Sequence, residues 1–228
     1  MRKSGGTGKR YFLLFMALVL TAGILAGGYA YLLRKDNVQG SSVISDELVL
    51  AELDGEPVTY GEFRLCFPDS RSAVVSELNS RYGFDDSREY WTTPLPDGST
   101  PLELAVSRTM EELRIMKARQ ILFAEYGICE NISYRAFRKQ WEEENERRAD
   151  AIEKGQVIYG PERYDEARYF SYLMDQYQNR LEEILSQSEP CKVFAESPEK
   201  QARSLVQEKL DSAVFQPREN VLELITAG

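Results

Sequence analysis

The feature that most constrains this chain is an unbroken run without charged side chains, from residue 11 to residue 33. At about 1.5 Å of rise per residue, its 23 residues would form a helix about 34 Å long, enough to cross a hydrocarbon core of roughly 30 Å. The run therefore predicts a transmembrane helix. It divides the chain into a short tail (1–10), an anchor (11–33), a polar linker (34–46) and one domain (47–228).

The charges on either side of the run predict its orientation. Four basic residues precede it, whereas only Arg34 and Lys35 follow it directly. Because the more positive side stays in the cytoplasm, we expect a single-pass protein of the cell membrane whose bulk is extracytoplasmic. A cleaved signal peptide is the alternative, since residues 28–30 (GYA) are acceptable to a signal peptidase. The length of the run favours the anchor, because signal peptides usually have only about 7–15 apolar residues.

The part of the chain beyond the anchor is strongly acidic. Six of the 28 basic residues lie before Asp36, which leaves 22 basic against 37 acidic residues and a net charge of −15. Nucleic acids and anionic lipids are bound by clustered lysine and arginine, so we expect no nucleic-acid partner. A solvated acidic surface is the first interpretation of this charge, and a low-affinity cation-binding surface is the second.

The composition also excludes several kinds of catalytic site. The chain has no histidine, which rules out Ser-His-Asp and Cys-His mechanisms and imidazole-based zinc sites. A Ser-Lys dyad or a carboxylate pair remains chemically open. However, the acidic runs at 85–86, 111–112 and 142–144 would place neighbouring carboxylates about 100° apart on a helix. We predict no enzyme activity, cofactor or metal, and buried thiols at three widely separated cysteines: Cys66, Cys129 and Cys191.

Local signals predict a mainly α-helical domain with a small two-stranded sheet. Capping boxes begin at Thr59 and Thr100, and Pro68 is expected to interrupt the first helix. Aromatic residues 90–91 should turn inward from a packed loop. One apolar face is predicted for the helix 100–126, from Leu102, Val106, Met110 and Leu113 and, towards its end, Ile121 and Ala124. The predicted helices are 59–67, 69–82, 100–126, 133–154, 161–185 and one starting at 197. Two short apolar runs, 48–53 and 220–226, are predicted to be the strands that join the two ends of the domain. A turn is predicted at Asp54-Gly55, directly after the first of them.

Several short motifs resemble one family of exported folding factors. Residues 52–59 (ELDGEPVT), followed by Glu62-Phe63, are similar to the opening of the N-terminal chaperone domain of SurA and PrsA. Further pieces similar to Gram-positive members lie at 81–83, 90–91, 97–98, 100–103, 144–148 and 159–161. The resemblance extends over residues 47–225. It implies a SurA-N-like helical domain that holds unfolded or newly exported polypeptides.

The sequence departs from PrsA-like proteins at its end. In those proteins a parvulin-type prolyl isomerase domain follows a segment similar to residues 215–218, whereas this sequence ends at Gly228. A parvulin site also uses histidines, and this chain has none. We therefore expect no prolyl isomerase activity, although the family resemblance alone would suggest it.

The resemblance implies a polypeptide-binding surface built from aromatic side chains. Six aromatics of the helices 133–154 and 161–185 recur at helical spacing, a pattern that is also typical of a helical core. The candidate contact residues are Tyr134, Phe137, Trp141, Tyr169, Tyr172 and Tyr177. Two polar residues on the same stripe, Asn145 and Arg148, are expected to bond neighbouring helices or loops. The alternative function is an adaptor or structural subunit that grips one membrane or cell-surface partner.

Overall fold

The computed structural model describes residues 44–83, 87, 89–187 and 197–226. Its described part is mainly helical, with one small sheet. No helix within these ranges combines the length and the apolarity of a membrane span. Several predictions fall outside the described residues: the anchor 11–33, the alternative cleavage site 28–30, linker residues 34–43, the acidic pair 85–86 and Cys191.

An antiparallel sheet joins the two ends of the domain, as predicted, but it has three strands instead of two, and its C-terminal strand is not the predicted segment 220–226. Strand β1 (Val49–Leu53) lies between β2 (Glu56–Thr59) and β3 (Phe215–Pro217). Asp54 and Gly55 turn the chain between β1 and β2 with φ of 51° and 84°. Positive φ at both positions is the conformation of a two-residue hairpin turn, so the predicted turn closes a hairpin.

Helix α1 (Tyr60–Tyr82) begins at the predicted capping box. The N–H of Thr59 donates to Glu62 Oε2 (2.8 Å), and the N–H of Glu62 donates to Thr59 Oγ1 (3.4 Å). The predicted interruption at Pro68 is wrong, because the helix continues through this residue. Pro68 is exposed, so water can reach the carbonyl that loses its helical hydrogen bond. Buried side chains before and after Pro68 hold both halves of the helix against the core.

Helix α2 (Pro101–Glu125) starts at the second predicted capping box and packs along α1. Four residues of its predicted apolar face are buried: Leu102, Val106, Met110 and Leu113. Towards its end the prediction is wrong, because Leu122 and Phe123 are buried while Ile121 and Ala124 are only half-buried. The helix is covered on more than one side, and a single apolar face cannot describe it. The aromatics Tyr90 and Trp91 are buried in the loop before it, as predicted.

One ion pair in the interface between α1 and α2 is completely buried. Lys117 Nζ lies 2.6 Å from Glu62 Oε1, and each side chain is 1% exposed. The other oxygen of Glu62 accepts the capping hydrogen bond from Thr59. Both oxygens of the carboxylate therefore have donors, which a buried charge requires.

Helices α3 (Tyr134–Glu153) and α4 (Glu166–Gln187) pack against each other. The N–H of Ala136 donates to Ser133 Oγ, so α3 is capped by Ser133 as predicted. The predicted start of the next helix at Pro161 is wrong. Asp165 caps α4 instead, since its Oδ1 accepts from the N–H of Arg168 (2.8 Å). The residues in between form a loop, which α3 holds in place as described below.

The C-terminal part of the domain contains two helices where one was predicted. Helix α5 (Pro198–Ser212) starts at Ser197 as expected, but it is followed by β3 and by the short helix α6 (Val221–Thr226). The prediction of a strand at 220–226 is therefore wrong. Val221 and Ile225 are both buried and stand one helical turn apart, so a helix buries them on the same side. A run of seven residues is too short for its pattern to distinguish helix from strand.

Candidate functional site

Arg148 fixes the loop that connects α3 to α4. Its side chain is 7% exposed, and its Nη1 donates to the carbonyls of Tyr159 (3.0 Å) and Pro161 (2.7 Å). Nε donates to Glu144 Oε1 (2.8 Å), and the guanidinium lies 4.5 Å from the centre of the Tyr164 ring. The guanidinium of Arg148 therefore contacts both the backbone of the loop and the ring of Tyr164.

Asn145 and Trp141 hold the same loop one turn earlier on α3. The N–H of Tyr164 donates to Asn145 Oδ1 (2.8 Å), and Asn145 Nδ2 donates to the carbonyl of Tyr164 (3.1 Å). The same carbonyl accepts from Trp141 Nε1 (2.9 Å). Asn145 thus satisfies both backbone groups of one loop residue. The structure places the two polar residues of the predicted stripe, Asn145 and Arg148, in contacts with this loop.

The fixed loop presents large apolar side chains to solvent. Val157 is 82% exposed and Tyr159 is 87% exposed. An open groove of about 410 Å³ runs between α3 and the loop. Its apolar lining comes from Trp141, Ala149 and Ile152. We call Val157, Tyr159 and this groove the loop surface.

The six aromatic residues predicted to contact a polypeptide divide into two groups. Tyr134, Phe137 and Tyr169 are buried and form a small core cluster with Tyr164. In this conformation their rings pack against one another and are not available at the surface. The other three are at least partly accessible. Tyr172 is 42% exposed and stacks on Tyr164, with 5.6 Å between the ring centres. Trp141 lines the groove, and the rings of Tyr177 and Phe123 pack edge to face.

A polar cluster ties the beginning of the domain to α1, α3 and α4. Arg64 donates to Asp46 Oδ1 (2.8 Å) and to Glu166 Oε2 (2.7 Å), and the Tyr134 hydroxyl donates to Glu166. Arg138 lies within 4.0 Å of both carboxylates, so two cations balance two anions. Asp46 was predicted to belong to the linker, but it is bound to the folded domain.

The environment of this cluster shifts the pKa values of Tyr134 and Asp46 in opposite directions. Burial, followed by the hydrogen bond to Glu166, raises the pKa of Tyr134, which keeps the phenol neutral. Burial alone would raise the pKa of Asp46, but the hydrogen bond and the charge of Arg64 outweigh it and hold the pKa below its usual value. The cluster therefore acts as a set of structural contacts between these elements.

The two cysteines in the described residues are free thiols, and both are half-buried. Burial, followed by the charges of Glu112 and Glu62, raises the pKa of Cys66 to about 12. Burial also raises the pKa of Cys129. Both thiols are thus poor nucleophiles. Among the described residues, no group of three or more acidic or cysteine side chains could hold a metal ion.

Sequence reasoning missed the most exposed residues of the site, Val157 and Tyr159. It treated residues 157–160 (VIYG) as a connection before a helix and residues 159–161 as a family-like motif, and it gave neither a role in binding. A signal for them exists, because this apolar run stands between two turn glycines, Gly155 and Gly160, in an otherwise polar segment. Apolar residues between turn signals favour an exposed or partner-covered loop as much as a buried strand.

No protein-family model, curated protein or solved structure matches the chain. The resemblance to SurA and PrsA thus stays a prediction based on short motifs.

Proposed function

We propose that this protein is a membrane-anchored, extracytoplasmic binder of unfolded or newly exported polypeptides, which it contacts through the loop surface. The anchor would be the apolar run at residues 11–33. Binding would not involve turnover, consistent with the lack of imidazole in the sequence. The SurA/PrsA-like motifs of the sequence agree with this function, as does the mainly helical fold.

The observation that carries the proposal is the exposure of Val157 and Tyr159 on a loop with a fixed backbone. Burying such side chains against a partner contributes roughly 1.5–3 kcal/mol each. Because Arg148 and Asn145 already hold the loop, little conformational entropy is lost when a partner binds. Contiguous exposed apolar patches are typical of interaction sites, and in this proposal the two side chains form such a contact together with the groove.

The surroundings of the loop surface suit a binder that must not aggregate itself. The half of α3 that follows Trp141 is mostly charged, and the chain beyond the anchor has a net charge of −15 from 22 basic and 37 acidic residues. Charge around an apolar patch opposes self-association. Anchoring would also concentrate the binder where exported chains emerge.

The proposal is tested by suppression of aggregation. The full chain in zwitterionic lipid nanodiscs is mixed with two unrelated chemically denatured proteins, and light scattering is followed after dilution of the denaturant. We expect the wild-type chain to reduce scattering of both. The double variant Val157→Ser/Tyr159→Ser should lose most of this effect, because both apolar contacts are removed.

A matched control removes the same two residue types elsewhere. Tyr82 and Val214 are also exposed, at 48% and 58%, and neither contributes to the loop surface. Tyr82→Ser/Val214→Ser should therefore suppress aggregation like the wild type. If the wild-type chain leaves scattering unchanged and instead co-purifies with one partner in a fixed ratio, the adaptor function replaces the proposal.

A further inference from the structure

Two carboxylates in the groove of the loop surface form no ion pair with a described residue. Four acidic residues of α3 have a basic partner within 4 Å: Glu142, Glu143, Glu144 and Asp150. Glu146, on the groove side of the same helix, forms no ion pair with any described residue, and the same is true of Glu162 on the loop. The charges of these two groove residues are therefore not compensated, unlike those of the four paired acidic residues of α3.

These carboxylates come from the two segments that line the groove. Glu146 comes from α3 and Glu162 from the loop, while Ala149 and Ile152 of α3 supply apolar lining in the same groove. Arg163 is the basic residue of the lining, against three glutamates. The groove thus offers an apolar contact with negative charge from both segments. Its volume of about 410 Å³ suits a few side chains rather than a folded domain.

We propose that the groove binds polypeptide segments in which a lysine or arginine lies next to an apolar residue. The apolar side chain would contact Ala149 and Ile152, and the cation would lie between Glu146 and Glu162. These two glutamates would then determine specificity within the polypeptide binding proposed above, on which this inference rests. Complementary charge favours such segments over neutral or acidic ones of equal apolarity.

A pair of labelled peptides tests this specificity. One is a ten-residue peptide with leucines and two lysines, and the other has glutamine in place of each lysine. Binding to the full chain in zwitterionic nanodiscs is measured by fluorescence anisotropy, with empty nanodiscs as the background. Partly exposed charge pairs are individually weak, so we expect the lysine peptide to bind about threefold to tenfold more tightly, and less so at high salt.

Substitutions assign this preference to the groove. Glu146→Gln/Glu162→Gln should bind both peptides equally, with unchanged affinity for the glutamine peptide. Glu143→Gln is a charge-removing control on the same helix, where the native residue pairs with Lys139, and it should retain the preference. A preference that survives in the double variant overturns the inference.

Other outcomes separate this inference from the proposed function. If the wild-type chain binds both peptides equally well, polypeptide binding stands and the charge specificity is wrong. If it binds neither peptide, both proposals fail. The chain's own Arg34 and Lys35 follow two leucines, so Arg34→Gln/Lys35→Gln is also measured. Tighter peptide binding by that variant would mean that the chain's own segment occupies the groove, which overturns the proposal of a partner polypeptide.

Discussion

Replacing Arg148 with methionine should release the loop between α3 and α4 while the rest of the domain stays folded. Methionine keeps much of the apolar stem but removes the guanidinium. The variant loses the hydrogen bonds to the carbonyls of Tyr159 and Pro161 and the contact with the Tyr164 ring. Arg148→Lys keeps the charge but cannot form the forked contacts, and it should have an intermediate effect.

The size of the effect follows from these contacts. A hydrogen bond with one charged partner contributes roughly 1.5–3 kcal/mol, and two are lost. The carbonyls of Tyr159 and Pro161 lie on an accessible loop and regain water, which offsets part of the loss. We therefore expect the free energy of opening the loop to fall by about 2–4 kcal/mol, which makes the open form roughly thirtyfold to a thousandfold more populated.

Limited trypsin digestion measures this opening. Arg163 lies at the end of the loop and is exposed. Trypsin can cut the peptide bond after Arg163 only when the surrounding backbone leaves its fixed conformation. Mass spectrometry of the fragments identifies the cut. Arg147→Met is a close control, because Arg147 pairs with the same Glu144 but is exposed and is not among the residues that hold the loop. Equal cleavage rates in Arg148→Met and Arg147→Met would refute the assigned role of Arg148.

Three further predictions concern the core of the domain. Lys117→Met leaves the buried carboxylate of Glu62 without its cation and should lower the free energy of unfolding by about 3–5 kcal/mol, measured by urea titration. The double variant Lys117→Met/Glu62→Gln should recover part of this loss, because it has no buried charge. Gly61→Ala places a methyl group against the Tyr134 ring and should cost about 1–3 kcal/mol; unchanged stability contradicts this contact. Cys66, with its pKa raised to about 12, should react slowly with Ellman's reagent at pH 8 and rapidly in urea, and its thiol should react faster as the pH rises.

The parts of the fold that could be predicted are those set by neighbouring residues. Both capping boxes, at Thr59 and Thr100, have their partner three residues away and are present as expected. The hairpin turn at Asp54-Gly55 is also local. Such signals depend on backbone geometry within one turn of chain, so distant contacts rarely overrule them.

The errors occur where distant contacts decide the structure. Helix α1 continues through Pro68 because packing on both sides outweighs one lost hydrogen bond. The start of α4 was predicted too early because the loop before it is held by Arg148, whose carbonyl partners lie 11 and 13 residues further along the chain. The pattern at Tyr134 and Phe137 marked an apolar face correctly, but periodicity alone does not distinguish a core from a binding surface.

The central claim is that Tyr159 contacts many different polypeptides. Its most direct test replaces Tyr159 with a photoreactive phenylalanine analogue in the full chain, with the same analogue at Tyr82 as the control, followed by irradiation of intact cells. We predict crosslinks from position 159 to a broad set of exported proteins, and few from position 82. A single crosslinked partner, or equal crosslinking from both positions, would contradict the proposed function.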